Sequence, residues 1–245
     1  MEITTDRVTI PVDGSSMGGF LARPTTGGPY PAVLVFMEIF GVNSHIRDVT
    51  QRMAREGYVA LAIDYYHRTA PGMELGYTQE DIQKGFAHAK QTTTQGLLAD
   101  IQAAINYLRS RPDVRGDRIG CIGFCFGGHV AYLAATATDI KATASFYGGG
   151  IAVESPGGGP PTVERTKNIQ GAILCLFGTQ DAMIPPDQVE KIESELKKHS
   201  IRHKVLRYDA GHGFFCDQRA SYHAPSAQAA WEEVKAFFDR ELRRS

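Results

Sequence analysis

The chain alternates short, nearly continuous apolar runs with longer segments whose apolar positions recur every three or four residues. Continuous runs are typical of strands buried on both faces of a parallel sheet, and the longer period indicates helices packed against that sheet. Buried strands are predicted at 31–37, 58–63, the run ending at 124, 142–147, 171–177 and 204–208. Helices are predicted at 45–56, 79–90, 97–111, just after 125, at 186–198 and at 226–242.

The remaining segments complete a single α/β domain. Two alternating runs, 8–12 and 17–22, flank a turn-forming cluster and predict an N-terminal hairpin. Strands that alternate with helices along residues 1–245 predict one doubly wound, mostly parallel sheet with helices on both faces. The Gly- and Pro-rich segment 148–161 is interpreted either as a mobile cover over a site or as a solvated connection.

Composition narrows the class of function. A formal net charge of −1 with both signs interspersed argues against a nucleic-acid or membrane-surface partner and favours a small-molecule substrate. The first residues lack a basic region followed by an apolar core, and we expect a cytoplasmic protein. The four cysteines form no CxxC pair, so we expect reduced thiols, no metal site and no cofactor. The sequence leaves open whether the protein is a monomer or a dimer.

Cys125 lies at the point where an apolar run passes directly into a helix-like segment. Gly123 and Gly127 flank it at two residues' distance, where a sharp turn needs positions without a Cβ. Such a turn presents its apex side chain, and the helix N-terminus that follows favours a thiolate. The pattern predicts that Cys125 is a nucleophile; the alternative is a small buried side chain in a Gly-rich turn.

Two polar residues follow the last two predicted buried strands and are suited to assist such a nucleophile. Asp181 comes shortly after the strand at 171–177, and His212 comes shortly after the strand at 204–208. The carboxyl ends of parallel strands meet at one edge of the sheet, so Cys125, Asp181 and His212 are predicted to form a triad in the order found in α/β-hydrolases. Taken singly, His212 could cap a helix or lie at the surface, and Asp181 could be a turn residue.

Four motifs show a resemblance that covers nearly the whole chain. They are Met-Glu-Ile-Phe-Gly-Val-Asn at 37–43, Asp-Tyr-Tyr-His-Arg-Thr-Ala-Pro-Gly at 64–72, Gly-Phe-Cys-Phe-Gly-Gly at 123–128 and Gly-His-Gly-Phe at 211–214. With them the sequence resembles the dienelactone hydrolases (carboxymethylenebutenolidases), the cysteine-nucleophile branch of the α/β-hydrolase fold. The resemblance implies that Cys125 opens an enol-lactone through a thiol acyl-enzyme.

The same resemblance implies further roles at the site. Glu38 would interact with the thiol and take part in its activation when substrate binds; the alternative is a loop carboxylate in solvent. The fold implies an oxyanion hole formed by the backbone N–H groups of Ile39 and Phe126.

The sequence departs from the family in its cations. Members that act on dienelactones bind the substrate carboxylate with arginines, but the segment 78–91 contains no arginine and only two lysines, Lys84 and Lys90. The nearest arginine after His212 is Arg219. Arg68, Lys84 and Arg219 are therefore the candidate carboxylate-binding residues. Two alternatives stay open: a broader esterase or lactonase for small neutral esters, and a non-catalytic binding protein on the same fold.

Overall fold

A computed structural model describes residues 1–244. Its strands are β1 Ile3–Val12, β2 Ser15–Pro24, β3 Tyr30–Phe36, β4 Val59–Ile63, β5 Val114–Phe124, β6 Ala142–Phe146, β7 Ala172–Gly178 and β8 His203–Tyr208. Its α-helices are α1 Ser44–Arg55, α2 Gln79–Ala89, α3 Thr94–Arg109, α4 Phe126–Ala137, α5 Pro186–Lys198 and α6 Ala224–Phe238. A 3-10 helix spans Thr162–Asn168, and a π-helical turn at Asp239–Arg243 follows α6.

All eight strands form one sheet in the order β1-β2-β4-β3-β5-β6-β7-β8. β1 and β2 pair antiparallel, as do β2 and β4, whereas every other neighbouring pair is parallel. The parallel strands therefore end together at one edge of the sheet. This is the doubly wound, mostly parallel sheet of an α/β-hydrolase, as predicted.

Helices cover both faces of the sheet. α3 and α4 contact each other on one face, and α4 packs on β5 and β6. On the other face, the Arg52 guanidinium of α1 lies 4.1 Å from the ring centre of Trp231 in α6. β3, β4, β6 and β7 are buried almost throughout, in agreement with their continuous apolar runs.

The N-terminal hairpin is longer than the alternating runs indicated. β1 pairs with β2 from Ile3 opposite Pro24 to Val12 opposite Ser15. The first half of β1 is polar because it lies at the edge of the sheet, so it carries no apolar alternation. Helix α3 begins three residues before the predicted start at 97, because the Thr93 side chain accepts a hydrogen bond from the Gly96 N–H and caps a helix that starts at Thr94.

Backbone passes directly over backbone at the junction of β5 and α4. A Cβ on Gly123 would lie 1.9 Å from the carbonyl oxygen of Gly127, and a Cβ on Gly127 would lie 2.3 Å from that of Phe36. A Cβ on Gly128 would lie 2.4 Å from the carbonyl oxygen of Phe146. The predicted need for glycines on both sides of Cys125 is thus a requirement of the contact between strand and helix.

We expect Gly123→Ala to lower the free energy of unfolding by more than about 4 kcal/mol, because neither carbonyl nor strand can move away from the new methyl group. Gly18→Ala is the matched control, since a Cβ at this strand glycine meets nothing within 4 Å. The control should change stability by less than about 1 kcal/mol. Urea unfolding measures both variants, and equal stabilities would contradict the close contact.

Candidate active site

Cys125 is the residue at which the chain turns from β5 into α4. Its backbone adopts φ 56° and ψ −120°, a left-handed conformation that a side chain other than glycine's rarely occupies. The Cys125 N–H donates to the carbonyl of Phe146 at 3.1 Å, and its own carbonyl accepts from the N–H of Gly128 at 2.9 Å. These contacts hold the strained conformation at the carboxyl edge of the sheet.

The structure brings Cys125, Asp181 and His212 into one hydrogen-bonded chain. His212 Nδ1 donates to Asp181 Oδ2 at 2.7 Å, and His212 Nε2 lies 3.1 Å from Cys125 Sγ. The second carboxylate oxygen of Asp181 accepts from the N–H of Met183 at 2.9 Å. All three residues follow the ends of parallel strands, which places them at the same edge as the sequence order indicated.

The charges around His212 favour its imidazolium form. Burial alone would lower the pKa of His212, but the neighbouring Cys125 sulfur and the hydrogen-bonded Asp181 carboxylate outweigh burial and raise the pKa to about 10. The imidazolium is therefore retained at neutral pH beside the sulfur. This arrangement suits a thiolate nucleophile with a proton donor at hydrogen-bonding distance.

The loops that carry Asp181 and His212 are joined through their backbones. The Thr179 N–H donates to the Tyr208 carbonyl at 2.8 Å, and the Gln180 N–H donates to the Ala210 carbonyl at 3.0 Å. The Gln180 side chain adds a bond to Asp209 at 2.7 Å. The distance between acid and histidine is thus fixed by the strand ends themselves.

An aromatic cluster that was not predicted from the sequence packs beside His212. Phe215 stacks on Phe124 with ring centres 5.3 Å apart and lies 4.9 Å from Phe146. Tyr147 packs edge-on against His212 at 5.1 Å. The Gly-His-Gly-Phe motif ends in Phe214, which is also buried. The apolar end of this motif is the part of the sequence that could have indicated an aromatic cluster beside His212.

The backbone N–H groups of Ile39 and Phe126 are open for a ligand. Neither donates a hydrogen bond to another residue within 1–244. The Tyr65 hydroxyl donates to the carbonyls of Met37 and Glu38, which fixes the backbone just before Ile39. Both groups belong to residues that line the same cavity as Cys125, the arrangement expected of an oxyanion hole.

Glu38 is fully buried and held by two partners, neither of which is the thiol. Its Oε1 accepts from Arg219 at 2.9 Å, and its Oε2 accepts from the Tyr77 hydroxyl at 2.9 Å. The alternative of a loop carboxylate in solvent is therefore wrong, because the side chain has no solvent exposure. Arg219, predicted to face a substrate carboxylate, faces Glu38 instead.

Potential metal ligands also meet beside Glu38. Ligand atoms of Glu38, His45 and Cys216 lie within 4.8 Å of one another, and all three residues are buried. The Arg219 guanidinium already neutralises Glu38 and would repel a divalent cation there. Burial lowers the pKa of His45 and raises that of Cys216 to about 12, which keeps both groups uncharged.

A cavity of about 630 Å³ opens onto Cys125. Cys125, His212 and the two predicted oxyanion residues lie on its wall, whereas Arg68, Lys84 and Arg219 do not. Arg68 pairs with the buried Asp100 at 2.8 Å, and Lys84 pairs with Glu80 one turn earlier on the exposed side of α2 at 2.6 Å. The geometry therefore gives no support to the three predicted carboxylate-binding cations, because carboxylates of the chain itself occupy them.

The segment 148–161 forms part of the cavity wall and is anchored beneath it by His129. His129 Nδ1 lies 2.9 Å from the Gly149 carbonyl, and Nε2 lies 2.7 Å from Thr162 Oγ1. Burial lowers the pKa of His129 to about 4, so the ring is neutral and structural. Part of the segment therefore lies beside the site, but whether it is a mobile cover or a fixed connection stays a prediction.

Within residues 1–244 no helix combines the length and apolarity that crossing a bilayer requires.

Comparisons with known proteins agree with this geometry. The dienelactone hydrolase family model matches residues 17–242. A Synechocystis sp. protein named "Putative carboxymethylenebutenolidase" is 49% identical over 244 residues, 99% of each chain. An Escherichia coli protein of the same name is 35% identical over 94% of this chain and 84% of its own.

A solved structure from Klebsiella pneumoniae, described as a "Putative Dienelactone Hydrolase", has a TM-score of 0.89 and 31% identity. The match covers 98% of this chain and 100% of the other. Sequence and structure thus agree over the entire domain. The chain belongs to the dienelactone hydrolase family and is a carboxylic ester hydrolase.

Proposed function

We propose that the protein is a cysteine-dependent hydrolase that opens an enol-lactone or a related ester through a thiol acyl-enzyme. The observation that carries the proposal is the chain of contacts from Asp181 through His212 to Cys125 Sγ. It ends in a cavity beside two unpaired backbone N–H groups. Nucleophile, base, orienting acid and oxyanion donors are the four parts that acyl transfer requires.

In the first half-reaction the Cys125 sulfur attacks the carbonyl carbon, and the electron pair of the C=O bond moves onto oxygen. The N–H groups of Ile39 and Phe126 donate to this oxyanion. When the tetrahedral intermediate collapses, the carbonyl re-forms, the bond to the leaving oxygen breaks, and a thioester of Cys125 remains. Protonated His212 supplies a proton to the leaving oxygen.

The second half-reaction returns the site to its starting state. Neutral His212 takes a proton from water as the water oxygen attacks the thioester. The carbon–sulfur bond then breaks, the acid product leaves, and the Cys125 sulfur again lies beside a protonated His212. An enolate or aryl oxide is a stable leaving group and needs little proton donation, whereas an amine needs much more, which favours lactones and esters over amides.

Glu38 is proposed to assist the thiol when substrate binds. In the resting structure its carboxylate is bonded to Arg219 and Tyr77, so this role requires those contacts to change. A broader esterase for neutral substrates is the second candidate, because none of the three predicted cations lies on the cavity wall. The assembled triad argues against a binding protein without catalysis.

Cys125→Ala should lower kcat/KM for an aryl acetate by at least about a thousandfold, since it removes the nucleophile. Mass spectrometry of wild-type enzyme quenched with substrate should show one acyl group on the peptide that contains Cys125. Cys175→Ala is the control, because this thiol is buried in β7 and burial raises its pKa to about 12. An active Cys125→Ala enzyme would sink the proposal.

The pKa of His212 should fall well below about 10 in Cys125→Ala, because burial, which lowers this pKa, remains, whereas the interaction with the Cys125 sulfur, which raises it, is lost. Ring NMR titrations of both proteins measure this. In wild type the raised pKa stabilises the folded state fully below about pH 6.5, and that stability is lost as pH rises through about 10. Identical His212 titrations in the two proteins would mean that the Cys125 sulfur does not affect the pKa of His212.

Arg219→Ala should lower the free energy of unfolding by about 3–5 kcal/mol, because it leaves the buried Glu38 carboxylate without its cation. Adding Glu38→Gln to that variant should restore part of the loss. Lys84→Ala, which removes an exposed cation, should change stability by less than about 0.5 kcal/mol. Urea unfolding compares the four proteins.

The kinetic role of Glu38 requires a separate readout from those variants. Glu38→Gln keeps the shape of the side chain but removes the carboxylate, so a role in thiol activation should change the pH profile of kcat/KM. A profile that keeps its shape would leave Glu38 with a structural role alone.

A further inference from the structure

Exposed apolar side chains cluster at the mouth of the catalytic cavity. Within residues 1–244 the exposed large hydrophobic side chains are those of Met1, Phe86, Val153, Met183 and Tyr222. Phe86, Val153 and Met183 are 38%, 56% and 50% exposed, and all three lie on the wall of the cavity that holds Cys125. We call these three residues the apolar rim.

The rim is assembled from three separate parts of the chain. Phe86 belongs to α2, Val153 to the segment 148–161, and Met183 to the loop between β7 and α5. Convergence of three such segments on one opening is not explained by the amphipathic pattern of any single element. Exposed apolar surface that continues into a pocket is typical of a ligand-binding surface.

Helix α2, which carries Phe86 of the rim, packs against the loop that carries Ile39. A Cβ on Gly85 would lie 2.7 Å from the carbonyl oxygen of Ile39, so the helix packs its backbone against this loop. Phe86 is the next residue along the chain. A substrate whose carbonyl reaches Cys125 and Ile39 therefore passes close to the rim.

The charged groups on the cavity wall do not favour an anionic ligand. Lys90, just after α2, contributes a positive charge, and Glu154 contributes a negative one. Because these two charges have opposite signs, they partly cancel in the electrostatic field that a ligand meets. The apolar rim therefore offers a ligand a larger and more uniform surface than these two charges do.

We propose that the rim binds an apolar substituent, an aliphatic chain or aryl group, so that the preferred substrate is an ester or lactone that carries one. The inference rests on the proposed function and adds its substrate class. Each methylene that the rim removes from water should raise kcat/KM by about fourfold, until the substituent extends past Met183 and Val153.

Two ester series test the proposal: p-nitrophenyl esters from acetate to octanoate, and aryl acetates whose rings carry alkyl groups of the same lengths. In at least one series, kcat/KM of the wild type should rise with chain length. In the triple variant Phe86→Ser, Val153→Ser, Met183→Ser, the ratio of the longest to the shortest substrate should fall at least tenfold. Tyr222→Ser, an exposed hydrophobic side chain outside the cavity, should keep the wild-type ratio.

Thermal unfolding first confirms that the triple variant is folded; if it is not, the three single variants replace it, each with a smaller decrease expected. Flat series, or a ratio unchanged by the substitutions, would overturn the rim proposal. If sedimentation shows that the substitutions dissociate a dimer while the ratio stays constant, the rim is an interface between copies and the proposal is wrong. Cys125→Ala distinguishes failure of the rim proposal from failure of the proposed function, because the activity of this variant on the acetate ester tests only whether Cys125 is the nucleophile.

Discussion

The close passage of α4 across β3 and β5 is the constraint on which the site depends. At Gly123 and Gly127 there is no space for a side chain, so strand and helix meet through their backbones. Cys125, between them, is forced to a positive φ, and the first N–H of the helix stays unpaired beside it. The Cys125 sulfur and the Phe126 N–H are therefore placed by one packing contact, and the strain is balanced by the hydrogen bonds around the turn.

Two buried ion pairs lie near that turn, and in each the attraction between the partners offsets the cost of burying a charge. The Cys125 sulfur and Asp181 together favour an imidazolium at His212, while Arg219 keeps the Glu38 carboxylate in a region with no solvent. Breaking either pair leaves a charge that burial strongly disfavours. The first pair touches the reacting sulfur, whereas the second is separated from it in the resting structure.

The features that could be predicted from the sequence depend on backbone geometry. Glycines around Cys125 and polar residues just after buried strands mark positions that the sheet itself brings together. Long side chains are different, because their direction depends on partners distant in sequence: Arg68 turns to Asp100, and Arg219 turns to Glu38. The polar start of β1 escaped prediction for a related reason, since an edge strand needs no apolar alternation.

The residues of the apolar rim are exposed, whereas the residues around Cys125 are buried. Phe86, Val153 and Met183 extend from a helix and two loops into solvent, whereas the triad and its supports are buried at strand ends. Substitutions at exposed positions usually change stability by less than about 0.5 kcal/mol, but substitutions in buried networks cost several times more. Substitutions at the three rim positions should therefore leave the fold largely unchanged, whereas the buried residues around Cys125 tolerate few substitutions.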